Sequence, residues 1–324
     1  MARKLASIRL VTDILPHPNA DRLEIAQVDG WTVVVGKGQF RRDQVVVFCE
    51  IDSMLPAREE FAFLAPSCST IGDDDKVRYR IKSRKLRGVL SQGLVLPLSV
   101  LPEDALVSLG DDVTDVLDIK KYEPKLPDDR SVVGPFPSCV PKTDQERIQN
   151  LYMSMLQGGA FHCTEKLDGT SCTVVKLGGK IKICSRNYEI DQNRFGPIVR
   201  AVHNSGVLDC IQDGYAIQGE VCGPKIQGNR YKLPDSELFV FGVFDVVSGQ
   251  HFNPDRLFNY CGANDLTTVP DLGNHVLPGT LAEVLESAEG PSRLNKFVQR
   301  EGVVWRSRLE QVSFKAISNR FLLG

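Results

Sequence analysis

The sequence predicts an α+β protein in two parts: a small N-terminal β-barrel, then a mixed, mainly antiparallel β-sheet domain with flanking helices. Three observations carry this expectation. Short strand-like segments recur at a spacing of about ten residues near the N-terminus, the pattern of a small closed barrel. Prolines at 124, 127, 135, 137 and 141 then interrupt the chain. Beyond residue 160 come longer apolar strands, several of them carrying a single charged residue. At 324 residues there is room for more than one ordinary core. The expected division is a barrel over residues 1–118, a Pro-rich linker over 119–142 and a second domain over 143–324.

In the barrel region, Leu5 to Leu15 mixes apolar and polar residues, and His17-Pro18-Asn19-Ala20-Asp21 is a turn cluster. Leu23 to Val28 alternates with period two. Asp29-Gly30 is a hairpin signal leading into Trp31 to Gly36, and Gln44 to Phe48 reads as a further strand. Cations stand at 76, 78, 80, 82, 84, 85 and 87, so that on a strand most share one face. Such a row matches a phosphate backbone. It equally suits a solvated edge strand whose charges deter aggregation.

Thr143-Asp144-Gln145-Glu146 is a capping box that predicts a helix through about Gln157. The residues from Gln250 to Asn295 are rich in Pro, Gly and Asn and show no readable chemistry.

Composition excludes several classes. A hydrophobic fraction of 42% and a charged fraction of 25% are those of a globular chain, not a disordered one. The net charge of −2 means that any nucleic-acid surface must be a local patch. Nine cysteines without C-x-x-C spacing, and five histidines without a metal-binding cluster, indicate reduced thiols and no zinc site. Neither a signal-like leader nor an 18-residue apolar run is present, so no membrane contact and an intracellular protein, cytoplasmic or nuclear, are expected.

The chemistry lies in the strands. Phe161 to Leu167 leads into Glu165-Lys166-Leu167-Asp168-Gly169, a K-x-D-G motif that is weak alone. A hairpin over Cys172–Leu177 and Lys180–Cys184 delivers Ser185-Arg186-Asn187. Tyr215 to Val221 carries Glu220, Leu238 to Val246 is a nearly continuous apolar strand, and Glu301-Gly302-Val303-Val304 and Val312 to Ile317 close the series with Glu301 and Lys315. Charges planted in apolar strands are costly unless paired or functional. Four in one series point to function.

This ordered set resembles the covalent nucleotidyltransferase superfamily of ATP-dependent ligases and mRNA capping enzymes. Within it the wording is most similar to RNA ligases. A preceding OB-like domain is the arrangement of the Naegleria-type RNA ligases. The segment from His17 to Gly30, with Val33 to Gln39 after it, also resembles the tRNA-binding OB modules of some aminoacyl-tRNA synthetases. The resemblance implies an OB-like barrel followed by a nucleotidyltransferase domain of the ATP-grasp-like DNA/RNA ligase fold.

It further implies an ATP-dependent ligase that joins RNA 3′-hydroxyl and 5′-phosphate ends through a lysyl-AMP intermediate, with Mg²⁺ or Mn²⁺, as a monomer. Lys166 is then the nucleophile. A free lysine is almost wholly protonated at neutral pH, so Lys315 and the metal are expected to lower its pKa. Asp168, Glu220 and Glu301 are the implied metal ligands. Glu165, Arg186, Asn187, Lys315 and, from the predicted helix, Arg147 would contact the nucleotide. Phe244 is taken as the ring stacking on adenine, with Phe239 and Phe241 assigned to the core by strand alternation. The sequence departs from the pattern at Ile317, where many relatives carry a second lysine. The rivals are a capping-type guanylyltransferase, a DNA nick-sealing ligase and an RNA-binding module with a silent transferase half.

Overall fold

The computed structural model describes residues 4–72, 74–122, 131–151, 159–194, 196–309 and 312–324. The chain divides into two units, Met1–Leu126 with Leu322–Gly324, and Pro127–Phe321. The division falls inside the Pro-rich segment.

The first unit is β-rich. Its strands are β1 (Ala6–Pro16), β2 (Leu23–Val28), β3 (Trp31–Gly36), β4 (Val45–Cys49), β5 (Ser53–Pro56), β6 (Ser69–Ile71), β7 (Val77–Arg80), β8 (Arg84–Leu86), β9 (Val89–Ser91), β10 (Leu94–Leu96) and β11 (Lys120–Lys121). Asp29 and Gly30 take positive φ, 46° and 80°, as a two-residue hairpin between β2 and β3 requires. An irregularity between Val11 and Asp13 bends β1, so its first half pairs with β4 and its second half with β2. The resulting sheet runs β10-β4-β1-β2-β3, and a second runs β11-β5-β7-β6. Trp31 packs on Phe48 at 5.5 Å between ring centres, inside one of the unit's two apolar cores.

The cationic row between residues 76 and 87 is not a single free face. Arg78 is buried and held by Asp74 at 2.9 Å and Asp118 at 3.1 Å, while Arg80 pairs with Asp52 at 2.6 Å and lies over the Tyr122 ring. Lys76, Lys82, Lys85 and Arg87 stay exposed. The row is split between β7 and β8, Arg78 is buried while Val77 is exposed, and local carboxylates claim two of its arginines.

The second unit holds β12 (Val132–Pro135), β13 (Glu146–Arg147), β14 (Ala160–Lys166), β15 (Thr170–Leu177), β16 (Lys180–Cys184), β17 (Tyr188–Ile190), β18 (Tyr215–Cys222), β19 (Glu237–Asp245), β20 (Gln250–His251), β21 (Asp271–Val276), β22 (Gly302–Ser307) and β23 (Ser313–Ile317). Seven form one sheet, β12-β17-β16-β15-β18-β19-β20, and five another, β13-β23-β22-β14-β21. The K-x-D-G turn is where the chain leaves the five-stranded sheet at Lys166 and enters the seven-stranded one at Thr170. Helices Pro197–Asn204 and Pro254–Ala263 pack on the seven-stranded sheet and share its apolar core.

The helix expected from Thr143 does not form over residues 143–151. Glu146–Arg147 is instead a strand parallel to β23, followed by a single 3-10 turn at Ile148–Asn150; residues 152–157 lie outside the described residues. The side chains of the capping box have other partners. Thr143 Oγ1 bonds Ser171 Oγ at 2.9 Å, and Glu146 Oε1 accepts from Asn150 Nδ2 at 2.6 Å. Tertiary contacts override the local signal. Among the described residues, no helix is long and apolar enough to cross a membrane.

Candidate active site

Strand register gathers the predicted residues. On β14, Thr164 lies opposite Val304 and Lys166 opposite Gly302; on β23, Lys315 lies opposite Val304 and beside Arg147 of β13. Laterally paired residues share a face, so Lys166, Thr164, Arg306, Lys315 and Arg147 all belong to one side of the five-stranded sheet. The other side carries the core, with Phe161, Cys163, Val303, Trp305 and Phe314.

Lys166 borders a cavity of about 60 Å³, lined also by Thr143, Gln145, Glu220, Phe241 and Arg306. A second cavity of about 180 Å³ shares Gln145, Phe241 and Arg306 with it and continues toward His251 and Asn253. The site is narrow where the strands approach. A side chain at Gly169 would meet Cys222 Sγ at 2.8 Å and the Val221 carbonyl, and one at Gly302 would collide with the Ala316 carbonyl. Glycine beside Asp168 and beside Glu301 is thus a packing requirement.

Lys166 Nζ donates to Glu301 Oε2 at 2.8 Å, with both side chains partly exposed. Burial acts to lower the Lys166 pKa, but Glu301, Glu220 and Asp168 together outweigh it and hold it above the ordinary lysine value. The three carboxylates therefore hold the amine protonated in this arrangement. Glu220, on β18 opposite Ser171, is pushed up to about 7, first by burial and then by Glu301, against the pull of Lys166. Asp168 Oδ2 accepts from Arg230 at 3.1 Å, and its main-chain N–H donates to Tyr231 Oη at 2.7 Å.

The carboxylates suit a hard divalent cation in kind, and Glu220, half-buried and pushed up to about 7 chiefly by desolvation, is a carboxyl whose ionised form a nearby cation would favour. Among the described residues, no three His, Cys, Asp or Glu side chains are already spaced to hold a metal ion. Lys166 and Arg230 occupy two of the three acids instead.

Other expected residues fall elsewhere. Phe244 is buried with Val140, Val175 and Ala216 and touches His251, away from the Lys166 cavity. Phe241 is the ring that lines that cavity. The reason is an irregularity in the β18–β19 register: Gln218 faces Gly242 and Gly219 faces Val240, so Phe241 drops out of the alternation. Glu165 borders the cavity, but its side chain falls on the opposite sheet face, where Oε2 accepts from the Arg293 main-chain N–H at 2.7 Å. Burial raises its pKa, opposed by Ser292 and Arg293. Arg186 pairs with Asp144, and Asn187 Oδ1 accepts from Lys142 at 3.1 Å, so both stand beside the 142–144 segment and not on the cavity wall.

Sequence reasoning passed over Arg306 and Arg230. Arg306 donates to Thr164 Oγ1 at 3.0 Å, and burial brings its pKa down to about 10. A second charge in the strand after Glu301 was its available signal. Arg230 sits in an irregular loop and left none.

Comparison with known proteins agrees with this arrangement. A model of an OB-fold domain matches residues 5–98, and the RNA ligase family model matches residues 159–317. The β subunit of phenylalanine–tRNA ligase from Prochlorococcus marinus (strain MIT 9313) is 32% identical over 134 residues, which is 40% of this chain and 13% of that protein's length. Naegleria gruberi RNA ligase solved with PPi is 36% identical, with a TM-score of 0.85, over 99% of this chain and 98% of that one. An apo mutant of that ligase gives a TM-score of 0.87 at 35% identity, over 99% and 98% of the two chains. A mutant with ATP and Mn gives 0.86 at 35%, over 98% of each. Matched along nearly its whole length by a solved RNA ligase at that identity, this chain belongs to the RNA ligase family.

Proposed function

We propose that this RNA ligase takes AMP from ATP onto Lys166 and uses it to join a 3′-hydroxyl to a 5′-phosphate of RNA, a reaction suited to mending broken strands. The observation that carries the reading is the Lys166 amine held by Glu301 at the mouth of a cavity walled by Phe241 and Glu220. The likeness to Naegleria gruberi RNA ligase, whose mutants were solved with ATP and Mn or with AMP and Mn, supports ATP and a divalent cation as the other participants.

Glu301 can face either the Lys166 ammonium or a metal ion. Asp168, Glu220 and Glu301 are the proposed holders, and a bound divalent cation would supply positive charge to the triphosphate and to these acids. The Lys166 nitrogen, once it has lost its proton, attacks the α-phosphorus; the new P–N bond forms as the bond to pyrophosphate breaks. Lys315 and Arg147 share the Lys166 face and offset charge on the phosphates. Phe241 stacks on the base, and Arg306 with Thr164 closes the cavity beyond it. A 5′-phosphate oxygen then takes the AMP, breaking the P–N bond. The 3′-hydroxyl finally attacks that 5′-phosphate, and AMP leaves. We assign Lys76, Lys82, Lys85 and Arg87 of the OB unit to the RNA backbone.

The test is incubation with α-labelled ATP or GTP, with Mg²⁺ or Mn²⁺, read on a denaturing gel. Label from ATP that stays on the chain and vanishes in Lys166→Ala is expected. Label from GTP alone would make it a capping-type enzyme, and none from either, with folded protein not already adenylylated, would remove the lysyl-AMP chemistry.

A further inference from the structure

Two loops of the catalytic unit, residues 223–236 and 291–300, carry charge that the active site does not consume. Between them they hold six cations and one carboxylate, Asp235, which pairs with Arg200 at 3.5 Å. Arg230 pairs with Asp168, and Arg300 donates to the carbonyls of Ser287, Ala288 and Glu289. The other four, Lys225, Lys232, Arg293 and Lys296, are exposed, and none forms an ion pair among the described residues. Next to Lys296, Phe297 is 85% exposed, with the Lys296 ammonium 5.3 Å from its ring centre. For a chain of net charge −2, this is an unusual local surplus.

The loops are bound to one another and to the nucleophile's own segment. Asn295 Nδ2 donates to the Arg230 carbonyl at 3.2 Å, and Leu233, Leu294 and Val298 pack on one apolar cluster with Leu167 and Tyr231. Four contacts then grip the K-x-D-G segment: Gln227 to the Gly169 carbonyl at 3.4 Å, Arg230 to Asp168, Tyr231 to the Asp168 amide, and the Arg293 amide to Glu165. An exposed aromatic ring among unpaired cations, fixed to the segment that carries the reacting lysine, has the composition of a single-strand binding platform.

We infer that the exposed face of these two loops binds the single-stranded RNA next to its reacting end, with Phe297 stacking on a base and Lys225, Lys232, Arg293 and Lys296 on phosphates. The inference rests on the ligase reading and gives that activity a substrate-binding surface. It requires an RNA affinity that depends on salt and on an aromatic ring, independent of lysyl-AMP formation, for which RNA is not needed.

The experiment uses the full chain and a 5′-phosphorylated single-stranded RNA. Its dissociation constant is measured across a salt series, with self-adenylylation from ATP measured in parallel. Phe297→Ala should weaken RNA binding about tenfold, within the usual range for a stacked base, and Phe297→Trp should restore it. Changing Lys225, Lys232 and Lys296 together to Gln should flatten the slope of log K against log salt by about 2, at about 0.7 per phosphate contact. Both sets should take label from ATP as the wild type does. Unchanged affinity and slope in variants that still adenylylate would overturn the assignment. A wild type that takes no label sinks the lysyl-AMP chemistry instead, and the RNA-binding comparison still decides the surface.

Discussion

Lys166 Nζ and Glu301 Oε2 are 2.8 Å apart, across a strand pair in which Lys166 faces Gly302. This arrangement therefore keeps the Lys166 amine protonated and paired. Glu301→Gln keeps the shape but removes the charge that holds the ammonium and one charged oxygen donor. It should slow lysyl-AMP formation on the order of 100-fold, the scale of losing one preorganised electrostatic contact. Single-turnover labelling with α-labelled ATP measures it, and a change within twofold would contradict this role.

Glu220 ties the metal-free fold to pH. Its carboxyl ionises near the ordinary 4.5 when unfolded and at about 7 when folded. Between those values the folded state binds more protons, so stability falls as pH rises through the window. Glu220→Gln removes that dependence. In chelator, its Tm relative to wild type should climb between pH 5 and pH 8, and a difference that stays flat would count against the shift.

Phe241 and Phe244 of β19 should separate cleanly. Phe244→Ala deletes a buried ring and should cost about 3–5 kcal/mol of stability. Phe241→Ala should leave the Tm closer to wild type and raise the KM for ATP about tenfold, the loss of one stacked ring. Denaturant melts and steady-state kinetics distinguish them; the reverse pattern would return Phe244 to the nucleotide site.

The thiols offer a check on the packing. All nine cysteines are free, but Cys139 is the exposed one, while Cys68 and Cys210 are half-buried. Burial pushes Cys49, Cys163 and Cys184 up to about 12 and Cys172 and Cys222 higher still. A thiol reagent at neutral pH should modify Cys139 first, then Cys68 and Cys210, and the remaining six after denaturation. Early modification of Cys172 or Cys222, mapped by mass spectrometry, would mean that the strands around Glu220 open in solution.

Charge in an apolar strand was the most legible signal in the sequence. Lys166, Glu220, Glu301 and Lys315 could be singled out because each is costly where it stands, and register brings Lys166 and Lys315 to one sheet face and sets Glu220 and Glu301 around the same amine. Phe241, assigned to the core by alternation, packs there and also reaches the cavity, because a register irregularity is invisible to an alternation rule. The helix over 143–151 was misread because Thr143 and Gln145 bond to the sequence-distant Ser171 and Ser313, and those bonds outbid a local cap. Arg230 and the 223–236 loop carry no periodicity, so their grip on Asp168 emerges only in three dimensions.

The Lys166–Glu301 bond joins residues 135 positions apart, and Lys315 is added later still. During synthesis the lysine is made long before its glutamate. A growing chain halted short of β22 has neither Glu301 nor the central neighbour of β14, and contacts this remote in sequence form late. On the proposed chemistry, a chain cut short before β22 would carry Lys166 without Glu301 and Lys315, two of the groups that chemistry calls on.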